Sequence, residues 1–206
     1  GVPQRAEHHP EIDTGVHLMM VLDVAARLQA PLAVRFACLG HDLGKGTSDP
    51  RFLPRHHGHE QRSAALVRQV CERLRVPVDC KELADVVARE HGHVHASATL
   101  GAVALIRLFE RCDALRRPDR FALLLQACEC DARGRGGREE IVYEPARRLP
   151  PLLQVARSID TAAVAALAVE RGKQGPEIGA AVRQARVRAV RAALQTASDT
   201  AADEPK

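Results

Sequence analysis

Aromatic side chains are scarce in this chain. Tryptophan is absent, there is one tyrosine, and aromatics make up 2% of the 206 residues. Binding of single-stranded nucleic acid by base stacking needs aromatic platforms, so that mode is disfavoured. The core must come from Ala, Leu and Val, which suits closely packed helices, and hydrophobic residues at 46% suffice for it. No Cys-x-x-Cys pair occurs: Cys38, Cys71, Cys80, Cys112, Cys128 and Cys130 are scattered, which excludes a disulfide framework or zinc knuckle. Most fall on apolar helical positions, as reduced buried thiols do, and Cys128-x-Cys130 reads as core. No apolar run of membrane-spanning length and no signal peptide is visible, so the expectation is a cytoplasmic protein with no membrane partner. Neither sign of charge dominates. A net charge of +4 and a pI of about 8.9 are compatible with an RNA or nucleotide partner, but soluble Arg-rich proteins share them. The length suits one large domain or a domain with a small appendage. The chain begins with Gly rather than Met, which reads as a fragment or a processed product.

What is present is mostly helical periodicity, with no convincing strand and no internal repeat. Residues 1–13 read as a linker broken by Pro3 and Pro10, with His8 and His9 exposed. A helix from about Thr14 carries Val16, Met19, Met20, Val24 and Leu28 at the 3.6-residue period. A second covers about 32–43, with Gly44 as its stop. Residues 44–58 read as a loop. Further helices are expected at about 59–75, 79–91, 98–115 and 118–133, the fourth opened by an Asp79-x-x-Glu82 capping box. A Gly- and charge-rich break at 134–142 precedes helices at about 145–158, 160–171 and 176–195. The expectation is therefore an all-α protein: a core over 1–134, a C-terminal helical subdomain over 135–195, and a disordered tail over 196–206.

The chemistry concentrates in Cys38-Leu-Gly-His41-Asp42-Leu-Gly-Lys45-Gly. An imidazole and a carboxylate stand side by side at the end of an apolar helix. On a continuing helix they diverge by about 100°, so both reach one ion only if it lies between them or the helix ends there. His17 lies one helix earlier, with Asp13 four residues before it as a candidate partner for its ring. Asp131 lies on an apolar stretch of the sixth helix, where a carboxylate needs a metal or an ion pair such as Arg133. The candidate metal ligands are His17, His41, Asp42 and Asp131. Two imidazoles and two carboxylates suit Ni, Mn, Co, Zn or Fe, with Mg admissible, and leave positions open for water and a phosphate oxygen. That points to phosphoester hydrolysis rather than hydride or acyl transfer. Glycines on both sides of Lys45 would let its ammonium reach a phosphate. His57, His59 and Arg55 surround Gly58, where a helix start could hold an anion. His59 and His91 are expected to line the pocket, and His93 to be exposed. His91 and His95 share a face only if their helix continues through Gly92. The candidate catalytic residues are Asp42, Lys45 and His59, with Lys45, Arg55, His57, His59 and His91 binding substrate.

In this order the motifs resemble the HD-domain metal-dependent phosphohydrolases, and more closely the C-terminal HD domain of bacterial multifunctional CCA-adding tRNA nucleotidyltransferases. His9-Pro-Glu-Ile-Asp-Thr-Gly-Val-His17 resembles that domain's opening segment. Phe36–Gly46, Pro54-Arg-His-His-Gly-His-Glu60, Cys71–Pro77, Glu129–Arg135 and Gly175-Pro-Glu-Ile-Gly179 continue it over about residues 2–195. The family's nucleotidyltransferase head carries paired metal-binding aspartates in an Asp-x-Asp arrangement. No Asp-x-Asp occurs here and no α/β head is visible, so the resemblance is to the tail, and CCA addition is not expected of this chain alone. The resemblance implies a metal-dependent phosphohydrolase with 2′,3′-cyclic phosphodiesterase, 2′-nucleotidase and phosphatase activity. Its substrate would be a nucleotide or the 3′-end phosphate of an RNA, with tRNA as partner and a homodimer allowed. The family's His-Asp pattern falls on His41 and Asp42, and then on His17 and Asp131. One departure is Gly92 between His91 and His93, where HD enzymes that hold two metals have a second adjacent histidine; it counts against a two-metal site. The alternatives are a non-catalytic tRNA-binding or dimerisation module using the arginines at 133–148 and 183–191, and a nucleotide or alarmone hydrolase with the same metal site.

Overall fold

The computed structural model describes residues 1–7 and 10–202, with side chains to residue 197. The expected exposure of His8 and His9 lies outside the described residues. Among them the chain is all α-helical, with nine α-helices and a single bridge between Pro3 and Asp13.

The first helix, α1 (Thr14–Arg27), starts where Asp13 accepts hydrogen bonds from the Gly15 and Val16 amides. It buries His17, Val21, Val24 and Ala25. The second, α2 (Leu32–Gly40), follows Pro31 and stops at Gly40 rather than Gly44. His41 is its C-cap, and Leu43–Thr47 turns off as a short 3-10 helix. A Cβ on Gly44 would meet the His59 carbonyl oxygen at 2.2 Å and the Ser63 nitrogen at 2.6 Å. Gly44 is thus required for close approach of this turn to the next helix, α3 (His59–Leu74), which begins after Gly58 at φ 67°. That left-handed entry is cheap for glycine.

Helix α4 (Val78–His95) starts directly after Pro77, with no side-chain cap, so the expected Asp79 box does not form. Asp79 lies in the first turn, where a carboxylate favours the helix dipole. The helix runs on through Gly92, which places His91 and His95 on one face. A 3-10 turn at Ala96–Thr99 then shortens α5 to Ala102–Arg111, and the chain bends at Asp113 with φ 54°. After it come α6 (Pro118–Arg133), α7 (Glu144–Arg157), α8 (Thr161–Glu170) and α9 (Pro176–Ala202). The last continues through Ala202, over part of the stretch expected to be disordered, where Ala197, Ala201 and Ala202 favour helix. Residues 203–206 lie outside the described residues.

Helix α4 is the centre of the packing, against α2, α3, α5 and α6, with α1 closing on α2 and α6. The apolar core is built as the composition requires, with Phe109 and Phe121 edge to face at 5.6 Å as its main aromatic contact. It is continuous across residue 134: Leu149, Leu152 and Leu153 of α7 and Val190 of α9 join the same cluster as Val21 and Leu83. All six cysteines are buried free thiols.

Candidate metal centre

Four histidines from four elements turn the same edge inward. His17 on α1 directs Nδ1 at the Gly134 carbonyl, 3.0 Å away. His41 does so to Cys38 O at 2.7 Å, His59 to His56 O at 2.9 Å and His91 to Val87 O at 3.0 Å. A carbonyl oxygen only accepts, so each Nδ1 carries a proton and donates it. The tautomers follow from these bonds. In the neutral ring each Nε2 then presents its lone pair to the interior. Metal-binding histidines are held in this way, with the far ring nitrogen donating to a fixed acceptor.

The Nε2 atoms gather around Asp42. Its Oδ2 lies 3.2 Å from His41 Nε2 and 2.6 Å from Lys45 Nζ. Its Oδ1 lies 3.2 Å from His59 Nε2 and 3.6 Å from His91 Nε2. Two groups result, His17/His41/Asp42 and Asp42/His59/His91, each with ligand atoms within 4.8 Å of one another. They share one carboxylate. Asp131 borders the first group, with Oδ1 2.9 Å from His17 Nε2 and 3.8 Å from His41 Nε2. Gly92 does not prevent the second group, because its two histidines come from α3 and α4 rather than from adjacent positions.

The donor set fits a cation on internal grounds. His41 Nε2, His59 Nε2 and Asp42 Oδ1 are buried and have no hydrogen-bond partner among the described residues. The approaches of His41 and His59 to Asp42 set acceptor against acceptor. Such contacts persist only with a proton or a cation between them. Charges respond accordingly. Burial alone would push the Asp42 carboxyl up, but His41, His59 and Lys45 hold it well below the usual carboxylate range. Burial opposes Asp131 in the same way, and His95, His41 and His17 hold it low. Burial opposes protonation of His41 too, yet Asp42 and Asp131 raise its pKa to about 9. His91, where burial dominates, falls to about 4 and stays neutral.

Three partners of this cluster were not among the site residues expected from the sequence. His95 Nε2 donates to Asp131 Oδ2 at 2.7 Å, and the Tyr143 hydroxyl donates to His95 Nδ1 at 2.9 Å. The chain's single tyrosine thus ends a relay onto Asp131, from a position between the Gly- and charge-rich break expected at 134–142 and the helix expected from about 145. Glu11 Oε1 lies 3.0 Å from His17 Nδ1. It takes the place expected of Asp13, whose carboxylate is occupied as the α1 cap and whose extended backbone keeps it off the helix face. Arg133 does not pair with Asp131. It reaches Glu129 at 3.0 Å, and Arg135 approaches Asp131 at 3.5 Å instead.

The remaining candidates surround a cavity of about 380 Å³, lined by Gln4, Lys45, Arg55, His56, His57 and His59 among others. Arg55 and His57 are exposed at its rim, while Lys45 is buried. Lys45 Nζ contacts Asp42 and, at 2.6 Å, Gln4 Oε1. His93 is exposed, beside Glu90. A second opening of about 190 Å³ reaches His17, His41 and Asp42 between Gly15, Leu18 and Leu39. A larger depression of about 790 Å³, between Gly101–Ala104 and Arg191–Gln195, has no histidine or carboxylate in its wall and so lacks this chemistry. Among the described residues no single helix is long and apolar enough to cross a membrane.

Comparison with known proteins agrees with this geometry. The HD domain family matches residues 14–164, which takes in every ligand candidate named above. The multifunctional CCA protein of Paracidovorax citrulli (strain AAC00-1) is 70% identical over 190 residues, covering 92% of this chain and 45% of that protein. That of Leptothrix cholodnii is 60% identical over 205 residues, covering 100% of this chain and 48% of the relative. That of Cupriavidus taiwanensis is 58% identical over 190 residues. The chain spans about half the length of the curated relatives it matches. No solved structure matches it. With an all-helical fold, an adjacent His41-Asp42 at its centre and a family match over most of its length, the chain belongs to the HD domain family.

Proposed function

We propose that this chain is a metal-dependent phosphohydrolase acting on 2′,3′-cyclic and 2′-phosphates of nucleotides or RNA 3′ ends, in the setting of tRNA maturation that its relatives' name suggests. The observation that carries this reading is the convergence of Nδ1-anchored imidazoles on Asp42, with acceptor facing acceptor. His17, His41, Asp42 and Asp131 would hold a divalent ion such as Ni, Mn, Co, Zn or Fe, and Asp42, His59 and His91 could hold another. Such an ion supplies Lewis acidity toward a phosphoryl oxygen and lowers the pKa of water.

The chain's own residues do the rest. Arg55 and His57 at the rim draw the phosphate in by charge and hydrogen bonding. Lys45, buried with its ammonium beside Asp42, faces the charge that grows on the phosphoryl oxygens in the transition state. A fixed donor in a water-poor site is effective there because it needs no reorganisation. His59 borders both Asp42 and the cavity, and where no second ion occupies its Nε2 that atom is free to bind substrate. Burial of His17, His41, His91 and Asp131 strengthens their electrostatic hold on a cation.

The test is hydrolysis of 2′,3′-cyclic AMP, 2′-AMP and a generic phosphodiester with Ni, Mn or Co added. Turnover that EDTA stops is expected, without CCA addition. Metal binding with no turnover on any of these would favour the non-catalytic module. Preference for a nucleoside polyphosphate would favour the alarmone hydrolase. The module reading draws less support, since several of its arginines are already engaged: Arg133 with Glu129 and Arg183 with Glu110 at 2.8 Å.

A further inference from the structure

The stretch of residues 2–5, ahead of α1, runs along the cavity as a strap, with Gln4 and Arg5 in its wall. Its backbone is tied at several points: the Gln4 amide donates to Ile12 O at 2.6 Å, and the Thr14 amide to Val2 O at 3.0 Å. His56 Nε2 donates to Pro3 O at 2.9 Å, while its Nδ1 accepts from the Ser48 hydroxyl at 2.8 Å. These ties seat Gln4, a polar side chain, in the interior at 3% exposure.

The orientation of its carboxamide is determined. Lys45 Nζ lies 2.6 Å from Oε1, and an ammonium can only donate, so the oxygen must face it. The NH₂ end is therefore turned the other way. Gln4 Nε2 is buried and has no hydrogen-bond partner among the described residues. Two N–H donors are thus held beside Lys45 in the wall of a cavity whose other polar groups are mainly cationic or imidazole. A buried donor without an acceptor is unfavourable, and no acceptor in the wall, the carboxylate of Glu60 included, pairs with Gln4 Nε2 among the described residues, so an incoming anionic oxygen would meet that need.

We propose that Gln4 is a substrate-binding residue of this site. Its Nε2 donates to a non-bridging oxygen of the phosphoester, while its Oε1 holds Lys45 in place. The strap thereby forms one wall of the phosphate subsite, and a segment outside the helical core contributes to specificity for a phosphate group. This rests on the phosphohydrolase reading above.

Gln4→Glu separates binding from structure. It keeps an acceptor for Lys45 but replaces the two donors with an acceptor oxygen that repels an anion. Gln4→Ala removes both. The measurements are KM and kcat on 2′,3′-cyclic AMP, bound metal, and the dissociation constant of inorganic phosphate by titration calorimetry, with thermal melting as a check of folding. Both variants should weaken phosphate binding and raise KM by about tenfold or more, Gln4→Glu the more strongly, at unchanged metal content. Recovery of wild-type phosphate affinity and KM in Gln4→Glu would make Gln4 a structural prop for Lys45 and overturn the proposal. Unchanged phosphate affinity in Gln4→Ala would overturn it too. The phosphate titration does not need turnover. Wild-type protein that binds phosphate through Gln4 but hydrolyses nothing would therefore refute the phosphohydrolase reading and leave the anion subsite standing.

Discussion

His41 and His91 are buried to nearly the same depth, at 2% and 5% exposure, and face the same aspartate. Their proton affinities nevertheless move in opposite directions, to about 9 and about 4. Burial opposes the charged form of both. At His41 the carboxylates of Asp42 and Asp131 outweigh burial. At His91 the same aspartates are opposed by His41 and His95, and burial prevails. The two ligand groups thus divide the labour around one carboxylate. Both contain the Asp42 carboxylate; in the first the His41 ring takes up a proton, and in the second the His91 ring stays neutral. In this site the arrangement of neighbouring charge, and not depth, sets protonation.

The most severe way to break this comparison is to remove what the groups share. Asp42→Ala should abolish metal-dependent hydrolysis and leave bound metal, measured by elemental analysis, near background in a protein that still folds. Wild-type activity with wild-type metal content in that variant would refute the assignment. Lys45→Ala comes next. It should retain metal but lower turnover by about 10- to 1000-fold, the range for loss of one charge-stabilising donor. Lys45→Arg should recover only part, since the guanidinium is larger and its charge is spread. Equal turnover in wild type and Lys45→Ala would leave phosphate binding to Arg55, His57 and His59.

The protonation contrast itself gives two smaller effects. A metal must displace the proton on His41, so affinity should fall about tenfold per pH unit below 9, with about one proton released per ion at pH 7.5. Calorimetry in buffers of different ionisation enthalpy reads that proton. It should vanish in His41→Ala and persist in His91→Ala. In metal-free protein the same two rings act on stability. His41, raised on folding, stabilises the fold below its unfolded pKa of 6.5, and this is lost as pH rises to about 9. His91, lowered on folding, stabilises above 6.5, and this is lost as pH falls to about 4. Their joint contribution should peak near pH 6.5 and decline on either side, at about 1.4 kcal/mol per pKa unit. Urea midpoints in EDTA across pH 4–9 test it; a monotonic profile would count against the contrast. The smallest effect is expected of Tyr143→Phe. Loss of its hydroxyl bond to His95 loosens Asp131 and should weaken metal binding about tenfold, with little change in melting temperature. Unchanged metal affinity would show that His95 needs no help to hold Asp131.

Much of this was legible because it is local. Helical periodicity marked α1, α2, α3 and α6 within a few residues, since burial of one face at a 3.6-residue period is written into consecutive positions. His41 and Asp42 declared themselves by adjacency at a helix end. The less legible parts share a cause. Gly44 read as a helix stop, yet its role is set by the His59 carbonyl that a Cβ would strike. The path of α4 through Gly92 was open, because glycine lowers helix propensity by about 1 kcal/mol without deciding the outcome against tertiary packing. Asp13 lay at a helical spacing from His17, but a capping residue is not on the helix face.

By itself, then, the amino-acid sequence determined an all-helical chain with an aromatic-poor core, reduced cysteines and a His-Asp pair able to bind metal. Those properties depend on composition and on near neighbours. Only the tertiary structure decided that His59 and His91 share Asp42, that Tyr143 braces Asp131 through His95, and that Gln4 reaches Lys45. The partners in such contacts lie 41 residues apart for Gln4 and Lys45 and 114 for His17 and Asp131. Whether they meet depends on how whole helices pack, and the energies that choose that packing are spread over the entire core.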